Sequence, residues 1–283
     1  MAIGDISIKD AKIAFLRKGV DDFQSTGAGG NVTGTSLTAI NTLNFTPDAS
    51  HDYLFLAQIM LGATTASKYV FADFYDNNGA DSYNNRVRYA HNAYTTPEYL
   101  TAVNILLVLP ALSGAQSFSL RVAAESGNTA VYQRSMVMAI NLDKYPNYYY
   151  AENRTAQVSN STTPLDKITL SETLNGNQHV LLGATHHRVG NTSNISHART
   201  LWNDEVLAHN SVKPHLAGND FASHFLVHRH YPRPGTHDYK IQGWVNGDFG
   251  FFPDTALCLI EYNDNPSVNL LGNYNLNGKL RVA

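Results

Sequence analysis

Histidine is the residue whose type and spacing in this chain invite chemistry. Ten of the 12 histidines fall after residue 146. In His224-Phe-Leu-Val-His228-Arg-His230, three of them share one face of a regularly pleated strand, because side chains alternate with period two. Imidazoles two residues apart on a strand can chelate a transition metal, and His237, His186 or His187 would complete such a set. His224, His228 and His230 are therefore the candidate metal ligands. The competing reading, and the one carried forward, is a polar strand face or a subunit interface rich in imidazole, with no metal and no cofactor.

The other chemical signals are weaker. His228-Arg-His230 is similar to the first cupin motif, but Arg233 and Pro234 stand where that motif carries a glutamate. No phosphate-cradling loop, nucleophile elbow or His-Glu-x-x-His occurs. Gly27-Ala28-Gly29-Gly30 lacks the lysine and helix of a phosphate loop and reads as a surface loop. Cys258 lies in an apolar run and reads as a small core residue rather than a thiol nucleophile. Tyr145 and Tyr148–Tyr150, beside Asn147 and Asn153, suit stacking on sugar rings, although alternate-face packing is the plainer reading. No catalytic residue emerges, and no enzyme is expected.

Composition bounds the remainder. The 283 residues are 43% hydrophobic with only 10 Pro, an ordered chain able to bury its own core. One Cys excludes an internal disulfide framework. Lys and Arg number 20 against 23 Asp and Glu, and a net charge of −3 argues against nucleic acid as a partner. Charged residues make up only 15%, and 28 Asn and 16 Tyr supply polarity instead. Residues 1–19 scatter Asp5, Lys9, Asp10, Lys12, Arg17 and Lys18 among apolar positions, so no signal-peptide core is expected. The apolar run Ala102–Leu112 is too short to span a bilayer and is broken by Asn104 and Pro110; no membrane contact is expected.

The chain repeats itself. Ser135–Asp143 matches Thr255–Asn263, and Ser113–Leu120 matches Pro234–Ile241. Ser126-Gly127-Asn128 and Asn246-Gly247-Asp248 supply corresponding turns. Phe74–Asn77 parallels Leu201–Asp204, Tyr53–Leu56 parallels His179–Leu182, and Ala14–Leu16 stands where Tyr148–Tyr150 stands. Period-two alternation at Phe118, Leu120 and Val122 and at Tyr239 and Ile241 indicates half-buried strands, while Met136–Ile140 and Ala256–Ile260 indicate strands buried on both faces. The fold class is all-β: two tandem, similar β-sandwich or jelly-roll domains with a C-terminal strand-like extension. The expected boundaries are 1–145, with a Gly/Thr-rich loop at 21–36, then 146–265, then an arm at 266–283. In the arm Val268, Leu270, Tyr274, Leu276, Leu280 and Val282 form one apolar face, suited to adding a strand to a neighbouring subunit.

Low charge, Asn- and Tyr-rich surfaces and paired sandwiches without a secretion signal resemble structural proteins of tailed bacteriophage virions. That resemblance implies a non-enzymatic particle subunit in the tail, fibre or capsid decoration, located in the virion and contributing to host attachment. The implied partners are its own copies, as a trimer or ring, and other virion proteins, with a surface glycan as a further one. Ala102–Leu112 then suggests the first copy as the docking half. The alternatives are a double-jelly-roll major capsid protein and a soluble carbohydrate-binding module.

Overall fold

The computed structural model describes residues 19–65, 68–79, 82–91, 100–155, 157–159, 162–189, 195–212, 220–245, 249–251 and 255–262. The first half supplies β1 (Val20–Thr26), β2 (Gly30–Thr33), β3 (Thr38–Phe45), β4 (His51–Ala63), β5 (Lys68–Asp76), β6 (Ser82–His91), β7 (Thr101–Leu112), β8 (Gln116–Ala124) and β9 (Thr129–Asn141). The second supplies β10 (Tyr148–Asn153), β11 (Gln157–Ser159), β12 (Leu165–Leu174), β13 (Gln178–Val189), β14 (Ser196–Trp202) and β15 (Glu205–Val212). It continues with β16 (Asp220–His230), β17 (Gly235–Val245), β18 (Phe249–Phe251) and β19 (Thr255–Tyr262). Among the described residues no helix is long and apolar enough to cross a membrane.

The strands order as β1-β9-β4-β7 and β3-β8-β5-β6 in the first half. In the second, β10-β19-β13-β16 faces β12-β17-β14-β15, with β18 and β11 as additions along β13. Setting aside β2, β11 and β18, each half pairs its first, eighth, third and sixth strands in one sheet. Its second, seventh, fourth and fifth strands form the other, which is jelly-roll order. The matched sequence blocks fall on equivalent strands: Tyr53–Leu56 on β4 and His179–Leu182 on β13, Met136–Ile140 on β9 and Ala256–Ile260 on β19.

The sheets stack as four layers around three apolar interiors. Val137 and Ala139 point into the first sandwich with Phe55, Phe74 and Phe118. On the other face of β9, Met136, Met138 and Ile140 meet Val180, Leu182, Ala256, Cys258 and Ile260 in a core between the halves. Leu257 and Leu259 turn into the second sandwich with Ile241 and Tyr239. β9 and β19 are therefore each buried on both faces, which is why neither shows polar alternation.

Three expectations are corrected. The 21–36 segment is not a loop: Val20–Thr26 pairs along β9 from Ile140 to Ser135, and Gly30–Thr33 pairs beside it. Its polar letters misled because β1 is only half-buried. The counterpart of Tyr150 is Phe23 on β1, since Phe23 faces Met138 as Tyr150 faces Cys258, while Ala14–Leu16 lies outside the described residues. Finally, Ala102–Leu112 is no docking strip. As β7 it sends Val103, Ile105, Leu107 and Leu109 into the first sandwich and Leu106 and Val108 into the core between the halves. The Asn246-Gly247-Asp248 turn and the arm residues Val268, Leu270, Tyr274, Leu276, Leu280 and Val282 lie outside the described residues.

Candidate functional site

The outer face of β12-β17-β14-β15 is built by plain alternation. Along β17, His237, Tyr239, Ile241 and Val245 are buried, while Thr236, Asp238, Lys240, Gln242 and Trp244 point outward. On β14 the outward phase carries His197 and Arg199. Register then places His197 opposite Trp244 and Ser211, and Arg199 opposite Gln242 and His209. The β14–β15 hairpin turns on Asn203 and Asp204, with φ of +44° and +67°. Asn and Asp tolerate this left-handed pair better than most residues.

Three rings on this face lie nearly parallel. Trp244 is 4.8 Å from His197 and 5.5 Å from His209, each at 8°. His197 and His209 are 5.5 Å apart at 16°. The Ser211 hydroxyl sits 2.8 Å from His197 Nδ1 and 3.2 Å from His209 Nε2, fixing both rings. Partial burial, and then His209 beside it, holds the His197 imidazole below its ordinary value, so it is neutral at pH 7.

Polar groups border the rings. Arg199 lies with its guanidinium 5.2 Å from the Trp244 ring centre and donates from Nε to Gln242 Oε1 at 2.7 Å. Gln242 in turn donates to Asp166. Lys240 donates to Asp204 at 2.7 Å and stands 3.9 Å from Asp166. Chemically this is a stack of three near-parallel aromatic rings on the outer face, with a planar cation over the indole and an amide and a hydroxyl beside it.

The histidines singled out by spacing do share a face. His224, Leu226 and His230 point from β16 into the second sandwich, but they do not converge. His224 meets His187 at 4.8 Å, and the Ser196 hydroxyl lies 2.8 Å from His224 Nε2 and 2.8 Å from His187 Nδ1. At the far end of the strand, His230 packs edge-on to Trp202 and Tyr239, with the His228 ring 6.3 Å away. His237 is occupied by Asn203 at 3.0 Å and by the Arg233 carbonyl at 2.6 Å. Among the described residues no group of three His, Cys, Asp or Glu side chains is placed to hold a metal ion. Burial pushes His186 down to about 4, His224 to about 3, and His187 well below its ordinary value.

The remaining candidates are structural. Tyr148 and Tyr150 pack on the core between the halves and Tyr149 on the second sandwich. The Tyr145 hydroxyl accepts from the Gly19 amide at 3.1 Å. Burial raises the Cys258 thiol far above its ordinary value. The carboxylates around His51 are already engaged: His51 bridges Asp143 at 2.9 Å and Asp48 at 2.8 Å, and Asp21 accepts from Tyr53 and Lys144. A cleft of about 260 Å³ beside Phe45, Asn78 and Gln116 is lined without an ionisable side chain.

No protein-family model matches the sequence, and no curated protein matches it. Solved structures similar to the chain include a glycosylasparaginase, PNGase F from Flavobacterium meningosepticum, at 10% identity and a TM-score of 0.43 over 86% of this chain and 97% of that one. A peptide-N(4)-(N-acetyl-beta-D-glucosaminyl) asparagine amidase matches at 11% identity and a TM-score of 0.41, over 83% and 97%. The VP2 subviral particle of infectious bursal disease virus matches at 9% and 0.32, over 87% and 73%. All three TM-scores lie below 0.5, and no activity or residue role is carried over from them. Two expectations are nevertheless corrected by this company. With amidases among the similar structures, the non-enzymatic phage-particle subunit does not stand, nor does the exclusion of an enzyme. The virion likeness holds only at the level of architecture, through the VP2 particle, with nothing specific to phages.

Proposed function

We propose that this chain binds carbohydrate through the outer face of β12-β17-β14-β15. The observation that carries this reading is the near-parallel set of Trp244, His197 and His209 on the outward phase of their strands. An apolar sugar face, with its row of C–H bonds, stacks on such a ring. Ring hydroxyls need donors and acceptors beside the stack, and Gln242, Asp166, Ser211 and Arg199 supply both kinds. A short ring stack with a few orienting polar groups suits a small saccharide.

The test is a titration of the full chain with a saccharide panel, followed by tryptophan fluorescence. Only Trp202 and Trp244 contribute, and Trp202 packs inside the second sandwich. Saturable quenching that weakens at least tenfold in Trp244→Ala is expected. Binding untouched by that change, or none across the panel, overturns the reading. Calorimetric titration in parallel detects a ligand that binds without changing fluorescence.

A further inference from the structure

Resting on that carbohydrate reading, we infer that the sugar carries a carboxylate, received by the terminal nitrogens of Arg199. Among the described residues Arg199 has no carboxylate partner. Its Nε is taken by the neutral Gln242, and its guanidinium lies over the Trp244 ring, 5.2 Å from the ring centre.

The molecule shows what a closed version of this position looks like. Arg121 and Asp73 face each other across β8 and β5, as Gln242 and Arg199 do across β17 and β14. There the arginine grips its aspartate through two bonds, Nε to Oδ1 at 2.9 Å and Nη2 to Oδ2 at 2.5 Å. In the second half the arginine has moved to the other strand, and an amide stands where the carboxylate partner would. A guanidinium is a planar fork matched to a carboxylate, and the first half demonstrates that match within this chain.

The surroundings narrow the ligand to a singly anionic ring. Lys240, the neighbouring lysine, is engaged by Asp204 and Asp166, so it does not extend the positive charge. Asp166, Asp204 and Asp238 on the same sheet and its hairpin, with a net charge of −3, disfavour a polyanion. A carboxylated sugar places its acid on the fork while its ring packs against the outward side of the Trp244 and imidazole stack. Hexuronic and sialic acids both offer this chemistry.

The deciding experiment compares matched probes on the full chain by calorimetric titration. Sialyllactose is set against lactose, and a methyl glucuronoside against its methyl ester and against methyl glucoside. The expected result is at least tenfold tighter binding of an acid-bearing probe. That preference should fall with added salt, disappear in Arg199→Ala, and survive only in part in Arg199→Lys, which keeps the charge without the fork. Near-ultraviolet circular dichroism of each variant checks that the face is intact. If an intact Arg199→Ala retains the preference, or neutral probes bind as tightly as acidic ones, the inference falls while the carbohydrate reading stands. If no probe binds, both fall.

Discussion

The two outer sheets occupy equivalent places in twin sandwiches and treat the same positions oppositely. In the first half, Asp73 is fully buried beneath Arg121, whose guanidinium lies 3.5 Å from the Tyr75 ring centre. In the second, Arg199 answers to an amide, and pairing puts Trp244 where the first half has Ala123. One face consumes its charge internally; the other presents a cation and rings to solvent. Duplicated folds can thus divide labour without altering topology, by changing a few outward-phase residues.

The halves also differ in buried titratable groups, and the largest expected effect follows from that. His186, His187 and His224 are buried with imidazoles held neutral, their folded values depressed by burial. Below 6.5 the unfolded chain binds protons that the folded second half refuses. Stability is therefore fully present above 6.5 and declines as pH falls towards about 4 for His186 and about 3 for His224. Each such histidine costs about 1.4 kcal/mol per pH unit in that window, so His186 and His224 together cost about 4 kcal/mol by pH 5, and His187 adds to the loss in the same direction. His51 in the first half has the opposite sign, because Asp143 and Asp48 raise it. Urea unfolding at pH 7.5, 6 and 5 should show the tryptophan signal, which reports the second half, moving to lower denaturant than the circular dichroism of the whole chain. Coincident transitions that barely move with pH would break this contrast.

Next in size is the closed pair itself. Asp73→Asn leaves Arg121, a largely buried cation, without its counter-charge, and breaking such a pair costs about 3–5 kcal/mol. Arg199→Ala removes no ion pair and should alter stability by less than about 1 kcal/mol. Urea midpoints of the two variants at pH 7.5 make the comparison direct. Equal losses would mean that Arg199 is as deeply committed to the fold as Arg121.

Sequence alone reveals the twin jelly rolls because their strands are buried on both faces or alternate cleanly. Met136–Ile140 and Ala256–Ile260 are legible for the first reason, and Tyr239 and Ile241 for the second. β1 was opaque because a half-buried strand bearing Asp21, Asp22, Gln24 and Ser25 has loop-like composition. The shared face of His224, His228 and His230 followed from the pleat. Their failure to converge did not, although six residues of strand span roughly 20 Å. The Trp244 ring stack comes from cross-strand register among segments 12 to 47 residues apart, which no local pattern encodes. One signal was present: in the phase Thr236, Asp238, Lys240, Gln242, the next residue outward is a tryptophan.

The smallest effect on stability is also the sharpest probe of the contrast. Gln242→Glu gives Arg199 the carboxylate that Arg121 already has. The new pair would gain about 1 kcal/mol at a half-exposed site. Against this, Gln242 now donates to Asp166, and a glutamate there loses that bond and repels the aspartate. The two terms oppose each other, so the urea midpoint should move by less than about 0.5 kcal/mol in either direction. Binding should respond far more, because the fork is filled from within and the added negative charge repels an acid. Acid-bearing sugars should lose their advantage over neutral ones while stacking on Trp244 persists. A variant that binds acidic and neutral sugars as the parent does would show that the open fork is incidental to the face, and the division between the halves would then rest on the rings alone.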